Sequence, residues 1–413
     1  MEQEEHDVYP DDPDFDINKA RLVTTAPRIC VRYECVPMRF IKHVYKIHTY
    51  AQDGCLFEGK TPVSAFLNSS YDGSFIAGLM ELRYIQSLPV ERIINYFESH
   101  GFTLKKPTAH KLMEKASSLF ENLYKCIRQT ALSDPYKAAD ETYYKILVPE
   151  KNSKGKGVRK GYLWVVVGIN TRMIYLLYDD GSRSEKVILN ELGGCKGIIQ
   201  SDGYSPYRKL ESDAYPHITR IPCLQHIKRK FIDCGEDDPD AKRIVEMINT
   251  LYQNEHKHKI GVDGWTVEQN LVHRKKYAPD ILGEIKDVLD DIEERGDLLP
   301  KSELKEAITY LRNEWNAVVD IFNYGDTYLD NNIVERMNRY ISLSRKNSLF
   351  FGSHKGAERG AILYTIALTC RMNKVNLFEY LTDIINRTAE WQPNTPLEKY
   401  RQLLPDRWEK AND

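Results

Sequence analysis

The sequence of 413 residues has little that would direct it into a membrane or out of the cell. It has no apolar run of roughly 18 residues, so we expect no membrane-spanning helix. Its first residues, MEQEEHDVYPDDPDFD, lack the apolar stretch of a secretory signal. Its eight cysteines are too sparse for a disulfide scaffold, and no CxxC pair occurs. We therefore expect a cytoplasmic protein with reduced thiols.

The cysteines near the start raise the question of a structural zinc site. Cys30 and Cys35 stand close together, and Cys55, His43 and His48 follow. A structural zinc needs four ligands at knuckle-like spacing, which these residues do not offer. Half-buried thiols are the preferred interpretation, and the sequence leaves zinc binding there open.

The formal net charge of −2 conceals two acidic segments. Residues 1–16 carry eight acidic side chains and no Lys or Arg, and residues 236–297 carry sixteen acidic and nine basic side chains. The remaining 335 residues have 49 basic and 36 acidic side chains, a net charge of +13. A basic body of this kind favours contact with a polyanion such as nucleic acid.

Residues 73–133 have apolar side chains at helical spacing. A helix, a short turn around HGFTLKK and a second helix that opens with proline form the layout of a helix-turn-helix. The second helix is predicted to run unbroken through PTAHKLMEKASSLFENLYKCIRQTAL. Its start would present Lys105, Lys106, His110 and Lys111 to DNA. A plain helical hairpin is the alternative.

Residues 134–235 change to the pattern of strands. A strand is predicted for each of YKAADETYYKILV, GYLWVVVGIN and TRMIYLLYDDGS, and a helix for SEKVILNEL. Two more strands are predicted, CKGIIQSDGY and YPHITRI, before a helix in CLQHIKRKFIDC. Three antiparallel strands, a helix and another strand are typical of a ribonuclease H-like α/β fold with a mixed sheet.

Seven segments make up the predicted organisation. The first four are an acidic tail (1–20), a small β-rich segment (21–72) that reads as a loop from residue 51, the helical DNA-binding region (73–133) and the first part of the core (134–235). The last three are a helical insertion (236–325), the end of the core (326–390), in which RKNSLFFGSHKG is predicted as a loop, and a C-terminal tail (391–413).

Three acidic residues fall where a ribonuclease H-like fold would need metal ligands. Asp140 lies near the start of the first strand, Asp202 at the end of the fourth, and Glu335 on the helix after the insertion. Carboxylates at the ends of adjacent strands, with one from a facing helix, can hold two Mg²⁺ ions for phosphoryl transfer. Because the chain has 60 acidic residues, an accidental trio is the simpler alternative.

Long ordered motifs surround these acids: ADETYYKIL around Asp140, IIQSDGYSPYRKL around Asp202, then CLQHIKRKF, LDNNIVERMNRYISLSRKNSLFFGSHKGAERGAILYTIALT around Glu335, and FEYLTDII. Over about residues 70–390 the chain resembles bacterial transposases of the insertion sequence 66 family. The resemblance implies a DDE transposase with an RNase H-like core. It implies that Asp140, Asp202 and Glu335 bind two Mg²⁺ ions, or Mn²⁺ in their place, and form the catalytic triad. The paired-cysteine zinc module of such relatives is not matched here.

Basic side chains bracket the proposed trio and are candidates for phosphate contact, with a solvated face as the alternative for each cluster. Besides the four at the helix start, the candidates are Lys154, Lys156, Arg159, Lys160, His226, Lys228, Arg229, Lys230, Arg336, Arg339, Arg345, Lys346 and Asn347. Cys223 and His226 form a Cys-x-x-His pair, which offers too few ligands for zinc. His226 could contact DNA or orient a ligand, and packing in the protein interior is an equal alternative. Phe350 and Phe351 are candidates for stacking on a DNA end or for core packing.

The predicted function is therefore that of an insertion-sequence transposase, which cleaves element ends with a metal and transfers the 3′-OH into target DNA. The expected partners are double-stranded DNA (terminal inverted repeats and target), further copies of the chain in a dimer or larger synaptic assembly, and accessory element-encoded proteins. The expected location is the bacterial nucleoid. A catalytically reduced DNA-binding protein and an RNase H-like nuclease without strand transfer are the alternatives.

Overall fold

The computed structural model describes residues 38–52, 55–58, 64–66, 69–151, 155, 157–235, 237–392 and 394–410. Contacts divide the chain into two units, residues 1–43 and 44–413. Of the first unit, residues 38–43 are described, and they form no helix or strand. The predicted acidic tail, Cys30, Cys35, Lys154 and Lys156 lie outside the described residues, as does the side chain of Cys55.

The second unit opens with an antiparallel hairpin of β1 (Thr49–Gln52) and β2 (Cys55–Glu58). The prediction of a loop from residue 51 onward was therefore wrong at this point. A strand of four residues is too short for its periodicity to be detected.

Four helices follow the hairpin: α1 (Gly73–Tyr84), α2 (Val90–Ser99), α3 (Lys106–Leu119) and α4 (Glu121–Ser133). The unbroken second helix of the prediction is in fact two, because the chain leaves helical geometry at Phe120, with φ −92° and ψ 3°. The Phe120 side chain is buried at this break.

A mixed five-stranded sheet forms the centre of the second unit. Its strands are β3 (Tyr136–Leu147), β4 (Val158–Gly168), β5 (Met173–Leu177), β6 (Gly197–Ser201) and β7 (Ile218–Pro222), in the spatial order β5-β4-β3-β6-β7. β3, β4 and β5 are antiparallel neighbours, whereas β6 and β7 run parallel to β3. All five predicted strands are confirmed. Residues 163–168 of β4 are buried without alternation, so both faces of the sheet are covered there.

Ten further helices are described: α5 (Glu185–Leu192), α6 (Ser205–Arg208), α7 (Leu224–Ile232), α8 (Pro239–Glu255), α9 (Val267–Glu294), α10 (Glu303–Ile321), α11 (Asn332–Ser348), α12 (His354–Met372), α13 (Leu377–Thr388) and α14 (Leu397–Arg401). None of the helices described is long and apolar enough to cross a membrane.

Helices α8, α9 and α10 form the helical segment predicted between the two parts of the core. Each begins at a polar cap, since the side chains of Asp238, Thr266 and Ser302 accept hydrogen bonds from backbone N–H groups of the first turn. Their buried faces join Ile227 of α7 and Ile221 of β7 in one hydrophobic cluster. The segment therefore packs directly against the edge of the sheet.

Helix α4 also packs on the sheet, through contacts with β4 and β5. Tyr124 of α4 donates a hydrogen bond to the carbonyl of Leu176, at 2.9 Å. Helix α1 contacts α12 and α13, and its buried Arg83 donates to Ser344 of α11 at 3.3 Å. The helical region at 73–133 thus shares its packing with the sheet and its covering helices.

Two predictions near the end of the chain need correction. Helix α11 continues to Ser348, so Arg345, Lys346 and Asn347 are helical and do not lie in a loop. The predicted C-terminal tail is packed: α14 lies on α4, and Tyr380 of α13 donates a hydrogen bond to the carbonyl of the buried Leu403 at 2.7 Å. Prolines in this segment suggested a tail, but apolar side chains hold it on the body.

Candidate active site

Asp140 and Asp202 are brought together by the register of two parallel strands. Ala138 of β3 pairs with Gln200 of β6, so two residues further along Asp140 lies beside Asp202, which directly follows β6. Asp140 is the fifth residue of β3, which begins at Tyr136 as predicted. Burial, and then the neighbouring carboxylates of Glu141 and Asp202, raise the pKa of Asp140 to about 8.

Helix α11 lies against this point of β3. Asn331, its N-cap, donates from Nδ2 to the carbonyl of Ala139 at 3.0 Å, and Asn338 donates from Nδ2 to Oδ2 of Asp140 at 2.7 Å. Residues 331, 335 and 338 share one face of a helix. Glu335 therefore lies on the face of α11 that meets Asp140.

Asn338 is a site residue that the sequence analysis missed. It lies one turn after Glu335, and this spacing is the signal that could have identified it. The asparagine fixes the orientation of the Asp140 carboxylate through their 2.7 Å hydrogen bond.

Glu335 also meets the Cys-x-x-His pair. Nδ1 of His226 lies 3.7 Å from Oε1 of Glu335, and the ligand atoms of Cys223, His226 and Glu335 all lie within 4.8 Å of one another. Within the described part of the chain, the predicted trio of Asp140, Asp202 and Glu335 is not gathered to that distance. Burial raises the pKa of the Cys223 thiol to about 12.

A cleft of about 370 Å³ opens beside Asp202 and His226. Its walls come from the loop after β6, from α7 and from α10, and include Asp202, His226, Arg229, Lys230 and Tyr310. Arg229 and Lys230 are exposed at its edge. The cleft therefore places a carboxylate of the proposed trio, a histidine and two cations around one opening.

The loop that carries Asp202 is held by buried contacts. Arg220 of β7 donates to the carbonyl of Asp202 at 3.2 Å and forms ion pairs with Glu211 and Glu314. Tyr310 accepts a hydrogen bond from the backbone N–H of Gly203 at 2.8 Å. A Cβ atom on Gly203 would lie 2.5 Å from the hydroxyl oxygen of Tyr310, so the close approach requires glycine. These contacts position Asp202.

Glu141 forms a second polar group on the opposite face of β3, because successive strand residues alternate in direction. Arg183 donates from Nε to Oε1 of Glu141 at 2.9 Å, and Tyr207 donates to Oε2 at 3.4 Å. Burial raises the pKa of Glu141, and the hydrogen bond from Arg183 opposes that rise. The ion pair joins residues 42 positions apart in the chain, so no local pattern could reveal it.

The donor set beside α11 fits a hard divalent cation. Oε1 of Glu335, Oδ1 of Asn338 and Oδ1 of Asn331 are buried without a hydrogen-bond partner. Asp140, which is bonded to Asn338, and Asp202 beside it offer further carboxylate oxygens, and oxygen ligands are those that Mg²⁺ takes in proteins. A cation would also relieve the repulsion that raises the pKa of Asp140.

The basic candidates occupy four places. Lys105, Lys106, His110 and Lys111 are exposed at the start of α3, where Lys106 pairs with Glu91 of α2. Arg159 and Lys160 are exposed at the start of β4, and Lys228 is half-buried on α7 before Arg229 and Lys230. Arg336, Arg339 and Lys346 are exposed along α11.

Arg345 and Asn347 are instead committed to contacts within the protein. Arg345 donates to the carbonyl of Tyr143 at 2.8 Å, and its guanidinium lies 3.9 Å from the centre of the Tyr143 ring. Asn347 donates to the carbonyl of Ser87 at 3.2 Å. Phe351 is buried against Tyr144, with ring centres 4.3 Å apart, so it is a core anchor, whereas Phe350 is exposed.

Comparisons with known proteins find one family model and several related proteins. The family model described as "Transposase IS66 family" matches residues 68–359. Three proteins of Sinorhizobium fredii (strain NBRC 101917 / NGR234), each described as uncharacterized, are similar to the chain. The protein y4jD is 25% identical over 346 residues, which cover 80% of this chain and 65% of its own length. The protein y4hP is 24% identical (98% and 77% covered), and y4qI is 26% identical (89% and 69% covered).

Proposed function

The chain belongs to the IS66 family of transposases, and we propose that it cuts the ends of an insertion sequence and joins them to target DNA. The observation that carries the proposal is the meeting of Asp140, Asp202 and the Glu335 face of α11. The chain spans 65% of the length of y4jD, so the activity, substrate and partners of a whole transposase are part of the proposal.

An RNase H-like core is the architecture that we propose for the sheet. Support comes from the spatial order β5-β4-β3-β6-β7, in which the first three strands along the chain are antiparallel and the next two are parallel to the first of them. The helical segment α8–α10 enters between β7 and α11, and so separates Glu335 from the two aspartates in the sequence but not in space.

Asp140, Asp202 and Glu335 are proposed to hold two Mg²⁺ ions, or Mn²⁺ in their place. Such ions, when bound, supply charge neutralisation for an in-line displacement at phosphorus. Asn338 holds the Asp140 carboxylate in place, while Arg220 and Tyr310 hold the loop that carries Asp202. In the proposed reaction, water attacks the phosphodiester at an element end and leaves a 3′-OH, which then attacks a phosphodiester of the target.

DNA contacts are proposed for the exposed cations around the cleft and at α3. Arg229 and Lys230 line the cleft beside Asp202, and cations there would draw a phosphate towards the acidic site. We propose α2 and α3 as a helix-turn-helix, with Lys105 and Lys111 at the start of the DNA-contacting helix. Two element ends must be joined, so the active form is proposed to be a dimer or larger assembly.

The proposal is tested by incubating the full-length chain with labelled element-end DNA and either Mg²⁺ or Mn²⁺. We expect cleaved ends and strand-transfer products, with both lost in Asp140→Asn, Asp202→Asn and Glu335→Gln. A matched control is Glu246→Gln, which changes an exposed acid of α8 and should keep both products.

Two other results would contradict the proposal. Binding of the ends without cleavage in either metal would identify a catalytically reduced DNA-binding protein. Cleavage that never produces joined strands would identify a nuclease.

A further inference from the structure

The start of α7 and the start of α11 are held together around Cys223. Cys223 is the N-cap of α7, and its Sγ accepts a hydrogen bond from the backbone N–H of Asn331 at 3.2 Å. The backbone N–H of Leu224 donates to the carbonyl of Leu329 at 2.9 Å. These bonds fix the sulfur against the helix that carries Glu335.

Two buried atoms beside this sulfur lack hydrogen-bond partners. They are Nδ1 of His226 and Oε1 of Glu335, which lie 3.7 Å apart. This separation is too long for a hydrogen bond. It is close to the spacing of about 3.4 Å between two ligands of one tetrahedral ion with bonds near 2.1 Å.

We propose that Cys223, His226 and Glu335 bind a divalent cation of the zinc class. The set offers one thiolate, one imidazole and one carboxylate, and soft sulfur selects Zn²⁺ or Co²⁺ over Mg²⁺. The backbone N–H of Asn331 would stabilise the thiolate from outside the ligand set.

The cleft gives a path of entry from solvent, because His226 lines the cleft that also holds Asp202. Three protein ligands would leave the fourth position of a tetrahedral ion to water. Asp330 is not a further ligand, because its carboxylate already accepts from Tyr252 at 3.2 Å and from the backbone of Asn332 at 3.1 Å.

One consequence rests on the proposed function. Glu335 belongs both to this group and to the proposed magnesium ligands, so Zn²⁺ and Mg²⁺ compete for one carboxylate. Zn²⁺ should inhibit Mg²⁺-supported cleavage, and Cys223→Ser should need about tenfold more Zn²⁺ for the same inhibition.

The site is tested without DNA, on the full-length chain freed of metal. Titration with Co²⁺ should give a thiolate-to-cobalt charge-transfer band and the strong visible bands of a tetrahedral complex, and these bands should saturate at one equivalent. Mass spectrometry should find one Zn²⁺ per chain. Cys223→Ser should remove the charge-transfer band, and His226→Asn and Glu335→Gln should weaken binding. Cys234→Ser is the matched control, because Cys234 follows the same helix outside the group, and it should keep every band.

The wild-type spectrum decides the question even if a variant fails to fold. Absence of the thiolate band and of stoichiometric Zn²⁺ in the wild-type chain would overturn the proposal, as would an unchanged band in a folded Cys223→Ser. Loss of DNA cleavage in every metal, with the cobalt bands intact, would instead count against the transposase chemistry and leave the site standing.

Discussion

Asn338 of α11 donates a hydrogen bond to Oδ2 of Asp140 on β3, across 2.7 Å and 198 positions of sequence. This contact sets the direction of a carboxylate that has two acidic neighbours, Glu141 and Asp202. It also holds α11, and with it Glu335, against β3 near the strand's parallel neighbour β6. The proposed active site therefore depends on an amide that carries no charge of its own.

Replacement of Asn338 should damage activity more than stability. In Asn338→Ala the Asp140 carboxylate loses its 2.7 Å donor, and we expect DNA cleavage to fall about 10–100-fold, as for other partners of metal ligands. Thermal unfolding and cleavage should be compared with Ser342→Ala, which removes a hydroxyl that bonds only to the backbone of the same helix. Equal cleavage in the two variants would contradict the role given to Asn338.

The raised pKa of Asp140 predicts how stability depends on pH without metal. The unfolded chain ionises this group near pH 3.9, whereas the native protein does so at about 8. Between these values the native state binds more protons, so the contribution of Asp140 is fully present at low pH and is lost as the pH rises.

In the presence of a chelator, the melting temperature of Asp140→Asn should therefore equal that of the wild type near pH 4. Near pH 8 it should be about 1–3 °C higher than that of the wild type. Differential scanning calorimetry across this range is the measurement. The exposed Asp213→Asn is the control and should show no such trend. If the melting temperature of the wild type instead rose relative to that of Asp140→Asn with increasing pH, the environment of Asp140 would favour the ionised carboxylate.

Arg220 should be among the costliest single residues to replace. Its guanidinium is buried and pairs with the buried Glu314, so Arg220→Met leaves an uncompensated carboxylate and should cost about 3–5 kcal/mol in the free energy of unfolding. Arg208, partly exposed and 3.9 Å from the same glutamate, is the control, and Arg208→Gln should cost less than about 1 kcal/mol. Urea denaturation compares them; equal costs would show that the buried pair adds nothing.

The cations at α3 should control the salt dependence of DNA binding. Each phosphate contact contributes close to one unit of slope in a plot of log affinity against log salt. Lys105→Ala and Lys111→Ala should each lower the slope by about one unit if both contact phosphate. Lys275→Ala, a change in an exposed lysine of α9, should leave it unchanged. An unaltered slope in both α3 variants would remove this helix from the DNA interface.

Much of the fold could be predicted because its signals are local. Apolar and β-branched runs predict strands β3 to β7, and the helical pattern after the insertion places Glu335 at the start of a helix. The break at Phe120 was missed because the residues on both sides of it favour helix, so local propensity does not reveal a change of geometry at one residue. The end of α11 was misplaced because Arg345 is held by β3 and so continues the helix.

The candidate site was only partly predictable, for a related reason. Asp140, Asp202 and Glu335 could be proposed because acids in ordered motifs are visible in the chain. Their partners could not, since Asn338 reaches Asp140 only after α11 packs on β3. The closeness of His226 and Glu335 likewise depends on how α7 meets α11, which no sequence period encodes.

Asp140, Asp202 and Glu335 are proposed to serve one site for hard divalent cations. The most direct test is electron paramagnetic resonance of Mn²⁺ titrated into the full-length chain, with Glu246→Gln as the control. We expect Asp140→Asn, Asp202→Asn and Glu335→Gln each to reduce the bound Mn²⁺, while Cys223→Ser and the control bind as the wild type does. Undiminished Mn²⁺ binding in any one of the three acidic variants would contradict the proposal.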